Sequence, residues 1–515
     1  MRKCGILFPI SALPSKFGIG TFGKEAYDFI DFLQLAKQSY WQVLPLGPTS
    51  YGDSPYQSFC AYAGNPYFID LEILKEDGLL KDEDLSCLSD APLVIDYANL
   101  YEKRYNLLRK AYNNFLHSKD YPKKKISLDN YIYENKTWLN DYAIFMSIKS
   151  YHNDLPWQAW ELKYRYYNQK VLDEYYLNNQ DDVNFWKFVQ YEFDKQWQSL
   201  KNYAHKCGIE IIGDVPIYVA LDSCDVWANT KLFQLDRELR LTKVAGCPPD
   251  AFCEEGQLWG NPLYNYKIMK SDNYKWWTNR IQKATHLYDV IRIDHFRGFE
   301  SYYAIPAGDK DAKNGKWEKG PGYQIFKAIK EEIPNVRIIA EDLGFLTEKV
   351  FKLLKKTGFP GMKVLEFAFD DDKDNMYLPH NYIQNCVVYT GTHDNMPLRA
   401  WFYSLTQEKK HLVKEYIMLE NDDKICDQMI RVALASVSDL VIIPIQDYLG
   451  FGIEARINTP STVNGNWTYR IEKKNLSNEL ALYIAILRNL YKRCYIHYNS
   501  INLIIKLCYF AQFFP

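Results

Sequence analysis

Short apolar runs recur along the chain, separated by stretches whose apolar residues have helical spacing. The runs are residues 5–10, 41–46, 210–215, 290–294, 337–341, 362–367, 386–390 and 439–445. Several begin with β-branched residues, as expected of strands buried on both faces in a parallel sheet. Between them, 24–37 carries Ala26, Phe29, Ile30, Leu33 and Ala36, and 347–356 repeats Val350, Leu353 and Leu354, both with helical period. Eight strands alternating with helices match the count of a (β/α)8 barrel. A doubly wound sheet alternates in the same way, but no Gly-rich phosphate turn follows the first strand. The expected fold class is α/β: a (β/α)8 TIM barrel with long, largely helical insertions.

Two connections are too long for a simple crossover. Residues 65–200, between the second and third strands, hold amphipathic helices rich in Tyr and Trp, 182–198 among them, and are expected to form a helical subdomain. Residues 218–287, between the third and fourth strands, form a second insertion. Its segment 246–262 opens with Gly246-Cys247-Pro248-Pro249-Asp250-Ala251-Phe252 and is expected to be a Pro/Gly loop rather than a helix. The barrel domain is expected over 1–493. The apolar, aromatic segment 494–515, broken by His497, Asn499, Asn502 and Lys506, is expected to be a C-terminal extension, either packed or the product of a shifted reading frame, with a membrane anchor as the lesser alternative.

With 515 residues, the chain can hold a large barrel with insertions. Its net charge of −2 gives no reason to expect nucleic acid or an anionic membrane as partner. No apolar stretch reaches the roughly 18 residues of a membrane-crossing helix. The 11 cysteines are odd in number and contain no C-x-x-C pair, and the N-terminal segment reads as a strand rather than a leader, so a cytoplasmic location is expected. The 16% aromatic content suits both sugar stacking and core packing and does not separate them.

Three acids stand at the ends of three of the runs. Asp294 follows Val290-Ile291-Arg292-Ile293, Glu341 follows Arg337-Ile338-Ile339-Ala340, and Asp394 closes Val387-Val388-Tyr389-Thr390-Gly391-Thr392-His393. In a barrel these ends share one face, where active sites lie. A pair of carboxyl groups, one as nucleophile and one as acid/base, is what retaining cleavage of a glycosidic bond needs. Asp294 and Glu341 are expected on adjacent strands, with Asp394 two strands further on, within reach of sugar hydroxyls. Arg292 shares the strand face of Asp294 and is expected to keep it ionised by lowering its pKa. Glu341, flanked by other acids, is expected to be raised and to stay protonated. No phosphate-cradling loop or metal constellation is found, so no metal, nucleotide or organic cofactor is expected.

At these motifs the chain resembles the amylomaltases, the 4-α-glucanotransferases of glycoside hydrolase family 77. The resemblance runs from about Gly5 to Arg493. It rests on Tyr40-Trp41-Gln42-Val43-Leu44-Pro45-Leu46-Gly47-Pro48, Tyr51-Gly52-Asp53-Ser54-Pro55-Tyr56-Gln57-Ser58 and Ile211-Ile212-Gly213-Asp214-Val215-Pro216. Arg292-Ile293-Asp294-His295-Phe296-Arg297-Gly298, Ala340-Glu341-Asp342-Leu343-Gly344 and Gly391-Thr392-His393-Asp394-Asn395 complete it. It implies Asp294 as nucleophile, Glu341 as general acid/base and Asp394 as transition-state stabiliser. It further implies that Tyr56 and Trp259 border glucose units, and that Ser54, Asp214, Gln257, His393 and Asn466 bond hydroxyls. The implied substrates are maltooligosaccharides and other α-1,4-glucans, with glucose as an acceptor. The resemblance also implies that 246–262 is a lid over the acceptor side, with one departure, since several relatives carry Tyr where this chain has Ala251.

Three other functions fit parts of the pattern. An α-glucan hydrolase would use the same carboxylates with water as acceptor. A metal-dependent barrel hydrolase would take Asp214, Asp294, His295, His393 and Asp394 as ligands, but the first strand ends without a ligand and no H-x-H pair occurs. A non-catalytic glucan-binding barrel would have no need of all three acids.

Overall fold

The strands of the barrel are short, and each is held by its neighbours. We describe a computed structural model covering residues 2–50, 52–86, 88, 93–249, 254–370, 374–462 and 464–493. Twelve strands lie among them: β1 (Lys3–Leu7), β2 (Tyr40–Gln42), β3 (Glu210–Val215), β4 (Lys243–Cys247), β5 (Gln257–Pro262), β6 (Val290–Ile293), β7 (Ser301–Pro306), β8 (Lys316–Lys319), β9 (Ile338–Ala340), β10 (Gly361–Val364), β11 (Cys386–Tyr389) and β12 (Leu440–Pro444). Eight of them form one parallel sheet in the order β10-β11-β12-β1-β2-β3-β6-β9. Every run expected to be a strand contributes to it.

The two ends of this sheet meet. Ala340 N donates to Pro360 O at 2.9 Å, and Met362 N donates to the Asp342 carboxylate at 2.6 Å. This seam needs the glycine at 361, because a Cβ there would lie 2.5–2.8 Å from the Asp342 carboxylate. The barrel interior is filled by Leu7, Tyr40, Ile212, Val290, Ile339, Met362, Val364, Val387, Tyr389 and Ile442, with at least one side chain from each of the eight strands. It is a packed core and not a channel.

Strand limits differ from the apolar runs where the backbone, rather than the side chains, decides. The first strand starts at Lys3, paired with Leu440, and its ladder stops before Pro9, which has no N–H to give. The run 41–46 leaves the ladder after Gln42, with Pro45 close behind. The run 362–367 turns into one 3-10 turn at Leu365–Phe367. Burial keeps these stretches apolar whether or not they pair, so periodicity alone does not mark where pairing ends.

Between β2 and β3 the chain is helical, ending in the long helix Gln180–Lys206. This helix docks on the barrel through Trp197, whose Nε1 donates to Leu287 O at 3.0 Å. Two glutamines on it act as surrogate backbone. Gln190 exchanges bonds with Gly64 N and O at 2.7 and 2.8 Å. Gln196 does the same with Asp70 N and O at 2.6 and 3.2 Å. They fix the chain that leaves β2, the same chain that carries Ser54 and Tyr56.

Within the segment 246–262, expected as a loop, residues 246–247 and 257–262 belong to strands. β4 and β5 pair antiparallel, and β4 also pairs with β7, which pairs with β8. The four-stranded sheet β5-β4-β7-β8 therefore draws on the connection after β6 as well as the one after β3. Glycine and proline hid these strands by breaking the alternation of the sequence. Gly246 sits where a Cβ would be 2.1 Å from Gln257 O. Ala251 and the rest of 250–253 lie outside the described residues, as does 494–515. The last described residue, Arg493, is buried, and its guanidinium bonds the carbonyls of Leu434, Ser436, Ser438 and Lys3. Among the described residues no helix is long and apolar enough to cross a membrane.

Gly361→Ala should lower stability by about 1–3 kcal/mol through overpacking at the seam. A fall in the urea midpoint, with secondary structure by circular dichroism unchanged, is the expected result.

Candidate active site

Two ladders set the chemistry. Asp214 on β3 is the direct partner of Arg292 on β6, and Ile293 on β6 is the partner of Ala340 on β9. Partners in a parallel ladder share a face, so the Asp214 and Arg292 side chains meet at the barrel mouth. Asp294, two residues beyond Arg292, shares that face. Asp294 and Glu341 then leave adjacent strands at the same height.

Arg292 joins two acids. Its Nη1 lies 2.5 Å from Asp214 Oδ2 and 3.2 Å from Asp294 Oδ1. Arg292 and Asp214 are almost fully buried, and Tyr56 donates its hydroxyl to Asp214 at 2.7 Å. The second oxygen of Asp214 is buried without a hydrogen-bond partner. Removing the cation would leave two carboxylates facing each other in a poorly hydrated site, at a cost of about 3–5 kcal/mol.

Glu341 is held differently. His295 adopts the left-handed conformation, φ 47°, which for a side chain with a Cβ costs of order 1 kcal/mol. That turn aims the His295 N–H at Glu341 Oε2, 2.6 Å away, while Leu343 N donates to Oε1 at 2.9 Å. The carboxyl is buried. Burial, with the negative charge of Asp294, pushes Glu341 up to about 8, against the opposing pull of Arg292 and the two N–H groups.

Asp294 departs from the expectation of a lowered pKa. Arg292 does pull it down, but burial in the cleft outweighs that pull, with Asp214 and Asp394 adding to the rise, and Asp294 stands at about 6. At neutral pH the two acids differ as retaining chemistry requires: Asp294 is ionised and Glu341 protonated.

Asp394 approaches from the loop after β11. Its Oδ1 accepts a bond from Asn458 Nδ2 at 2.6 Å, and its Oδ2 lies 3.3 Å from His393 Nε2. Burial lowers the His393 pKa, so the ring is neutral. His393 stacks on Tyr56 with ring centroids 5.2 Å apart, and Trp467 leans on both rings. Beneath the loop, Asp447 accepts bonds from Thr390 Oγ1 at 2.5 Å and Leu398 N at 2.9 Å. Asp394 keeps 42% of its side-chain surface exposed, open to the cleft mouth.

Comparison with known proteins places the chain in a family. A family model described as 4-alpha-glucanotransferase matches residues 8–476. The chain belongs to that family. It is 50% identical over 489 residues to a 4-alpha-glucanotransferase of Clostridium butyricum, covering 94% of this chain and 99% of the relative. It is 43% identical to one of Thermus thermophilus, covering 93% and 96%. Among solved structures, the amylomaltase from Streptococcus agalactiae in complex with acarbose superposes with a TM-score of 0.92 at 41% identity, covering 96% of this chain and all of that one.

The remaining residues singled out in this 4-alpha-glucanotransferase family member divide into two groups. Asp214, Tyr56, Arg292, Asp294, Glu341, His393 and Asp394 form one connected set. Trp259 joins it edge-on to His295, with centroids 4.8 Å apart. Ser54, Gln257 and Asn466 bond within their own segments. Ser54 Oγ accepts from Tyr56 N at 3.2 Å, Gln257 Oε1 from Trp259 Nε1 at 3.0 Å, and Asn466 Oδ1 from Thr459 N at 2.8 Å. Each thereby steadies a neighbour of the set.

Sequence reasoning did not find Asn458 or Trp467. They lie 64 and 73 residues beyond Asp394 in a stretch without periodicity, so only the fold shows the contact. Nor did it find the reciprocal amide pair Gln57–Asn261, at 3.2 Å in both directions, which ties the Tyr56 loop to β5.

Tyr56→Phe should keep the stack on His393 but strip Asp214 of a donor. A loss of about 1.5–3 kcal/mol is expected for a hydrogen bond to a charged group, measured by urea unfolding at neutral pH.

Proposed function

We propose that Asp294, Glu341 and Asp394 carry out a retaining double displacement on α-1,4-glucans in this 4-alpha-glucanotransferase. The observation that carries the reading is the pair of acids on adjacent strand ends, one beside Arg292 and ionised, the other buried and protonated. Asp294 attacks the anomeric carbon while Glu341 gives its proton to the departing 4-oxygen, leaving a glycosyl ester on Asp294. Glu341, now a base, takes the proton of an incoming 4-hydroxyl. That oxygen displaces Asp294 and restores the α-configuration. Asp394, held by Asn458 and His393, bonds sugar hydroxyls and strengthens its hold as positive charge develops at the ring. Glucose is included among the acceptors because it offers the same 4-hydroxyl. A cytoplasmic setting is also part of this proposal and rests on the odd number of cysteines.

The metal-hydrolase alternative is disfavoured at Arg292. A cation already bridges Asp214 and Asp294, two of the five ligands that such a metal would take.

Incubation with maltotriose should yield glucose together with maltooligosaccharides longer than the substrate, resolved by chain length. Products limited to glucose and maltose would refute transfer in favour of hydrolysis. Asp294→Asn should remove turnover while retaining glucan binding by calorimetry. Glu341→Gln should lose about 10²–10⁴-fold, yet still form a covalent adduct on Asp294 from a glycosyl fluoride, whose leaving group needs no acid. Mass spectrometry of the peptide containing Asp294 reads that adduct.

The pH profile follows from the two ionisations. Asp294 must be deprotonated and so loses function below about 6, while Glu341 must carry its proton and loses function above about 8. A bell-shaped kcat/KM with limbs near those values is expected, belonging to the coupled pair rather than to either residue alone.

A further inference from the structure

Outside the set of acids and rings described above, one group among the described residues gathers metal-ligating atoms. Cys60 Sγ, Cys224 Sγ and a carboxylate oxygen of Asp225 lie within 4.8 Å of one another, and all three residues are buried. Backbone bonds hold them in register. Cys224 N donates to Phe59 O at 2.8 Å, and Ala61 N donates to Asp225 Oδ2 at 2.7 Å. Cys60 is thus clamped from both sides by the segment that carries the other two donors.

We propose that Cys60, Cys224 and Asp225 bind one thiophilic divalent cation, such as zinc, at a structural site. Zinc bonds of about 2.3 Å to sulfur and about 2.0 Å to oxygen, in a tetrahedron, put ligand atoms roughly 3.3–3.8 Å apart. The donors, at most 4.8 Å apart, are therefore within about 1.5 Å of that spacing. Two sulfur ligands select a soft ion over magnesium or calcium. Charge also balances: two thiolates and a carboxylate face the two charges of the ion and that of Arg280, which acts on Asp225 from the neighbouring helix Lys275–Leu287. A cavity of about 50 Å³, lined by Cys60, Arg280, Tyr56 and Asp214, adjoins the group on its Cys60 side and has room for a water as fourth ligand. On binding, each thiol transfers its proton to solvent and the ion gains two thiolate bonds, with no change of oxidation state.

The ion would brace the active site without touching substrate. Cys60 closes the loop that carries Tyr56, and Cys224 follows the exit of β3, which carries Asp214. The site would fasten together the two segments whose hydrogen bond supports Arg292.

The test uses the full chain, kept reduced with a phosphine, stripped with a chelator and titrated with cadmium as the optical stand-in for zinc. One equivalent should produce a thiolate-to-cadmium charge-transfer band and raise the unfolding temperature. Cys60→Ser and Cys224→Ser should each abolish both effects, and Cys207→Ser should leave both. Glucan transfer by the stripped protein should persist. If the serine variants fail to fold, Asp225→Asn decides, with an expected loss of affinity of about tenfold or more. A reduced chain that takes up no cadmium, a band that survives Cys60→Ser, or an Asp225→Asn affinity equal to the parent would each overturn the site. So would a Cys60–Cys224 disulfide in the purified protein that accounts for both sulfurs.

Discussion

The active site depends on one guanidinium. Arg292 lies between Asp214 and Asp294 with little access to water, so its charge acts through a medium that screens poorly. One cation can offset one carboxylate fully and a second in part. A third acid in the same space, Glu341, is then more stable with its proton on. The division of labour between nucleophile and acid therefore follows from counting charges around Arg292, before any substrate is considered. Buried pairs of this kind seldom add stability over an apolar core. Their value here lies in fixing two ionisation states.

Such a cluster persists only inside a frame that cannot relax. The frame is the closed barrel, whose adjoining ladders hold Asp214 and Arg292 and end one residue before Asp294 and Glu341. The His295 turn and the Asn458 bond to Asp394 add precision at the edge, where strands give way to loops. Beyond the barrel, the two glutamines of the helix Gln180–Lys206 and the Gln57–Asn261 pair hold the Tyr56 loop between the helical connection and the small sheet. Three separate excursions of the chain are thus needed to seat one tyrosine against Asp214 and His393.

The electrostatic outcome was only half predictable. That an arginine two residues before an acid shares its strand face follows from the two-residue period, and its pull on Asp294 is real. The opposing effect is burial, which depends on how loops from distant parts of the chain wall the cleft. Glu341 was easier to anticipate, since burial and neighbouring acids push it the same way.

The linear sequence by itself determined the barrel. Eight apolar runs with helical connections leave few alternatives, and an acid closing three of those runs locates the cleft face. Those signals are local, written in periods of two and of 3.6 residues. Tertiary structure decided what periodicity cannot carry. It set where each strand ends, and it built the antiparallel sheet from segments interrupted by glycine and proline. It brought Asn458 and Trp467 to His393 and Asp394. It also placed Cys60 beside Cys224, 164 residues apart, which no spacing rule anticipates. The physical reason for the contacts at the site is that they join residues far apart in the chain, and only the closing of the barrel brings them together.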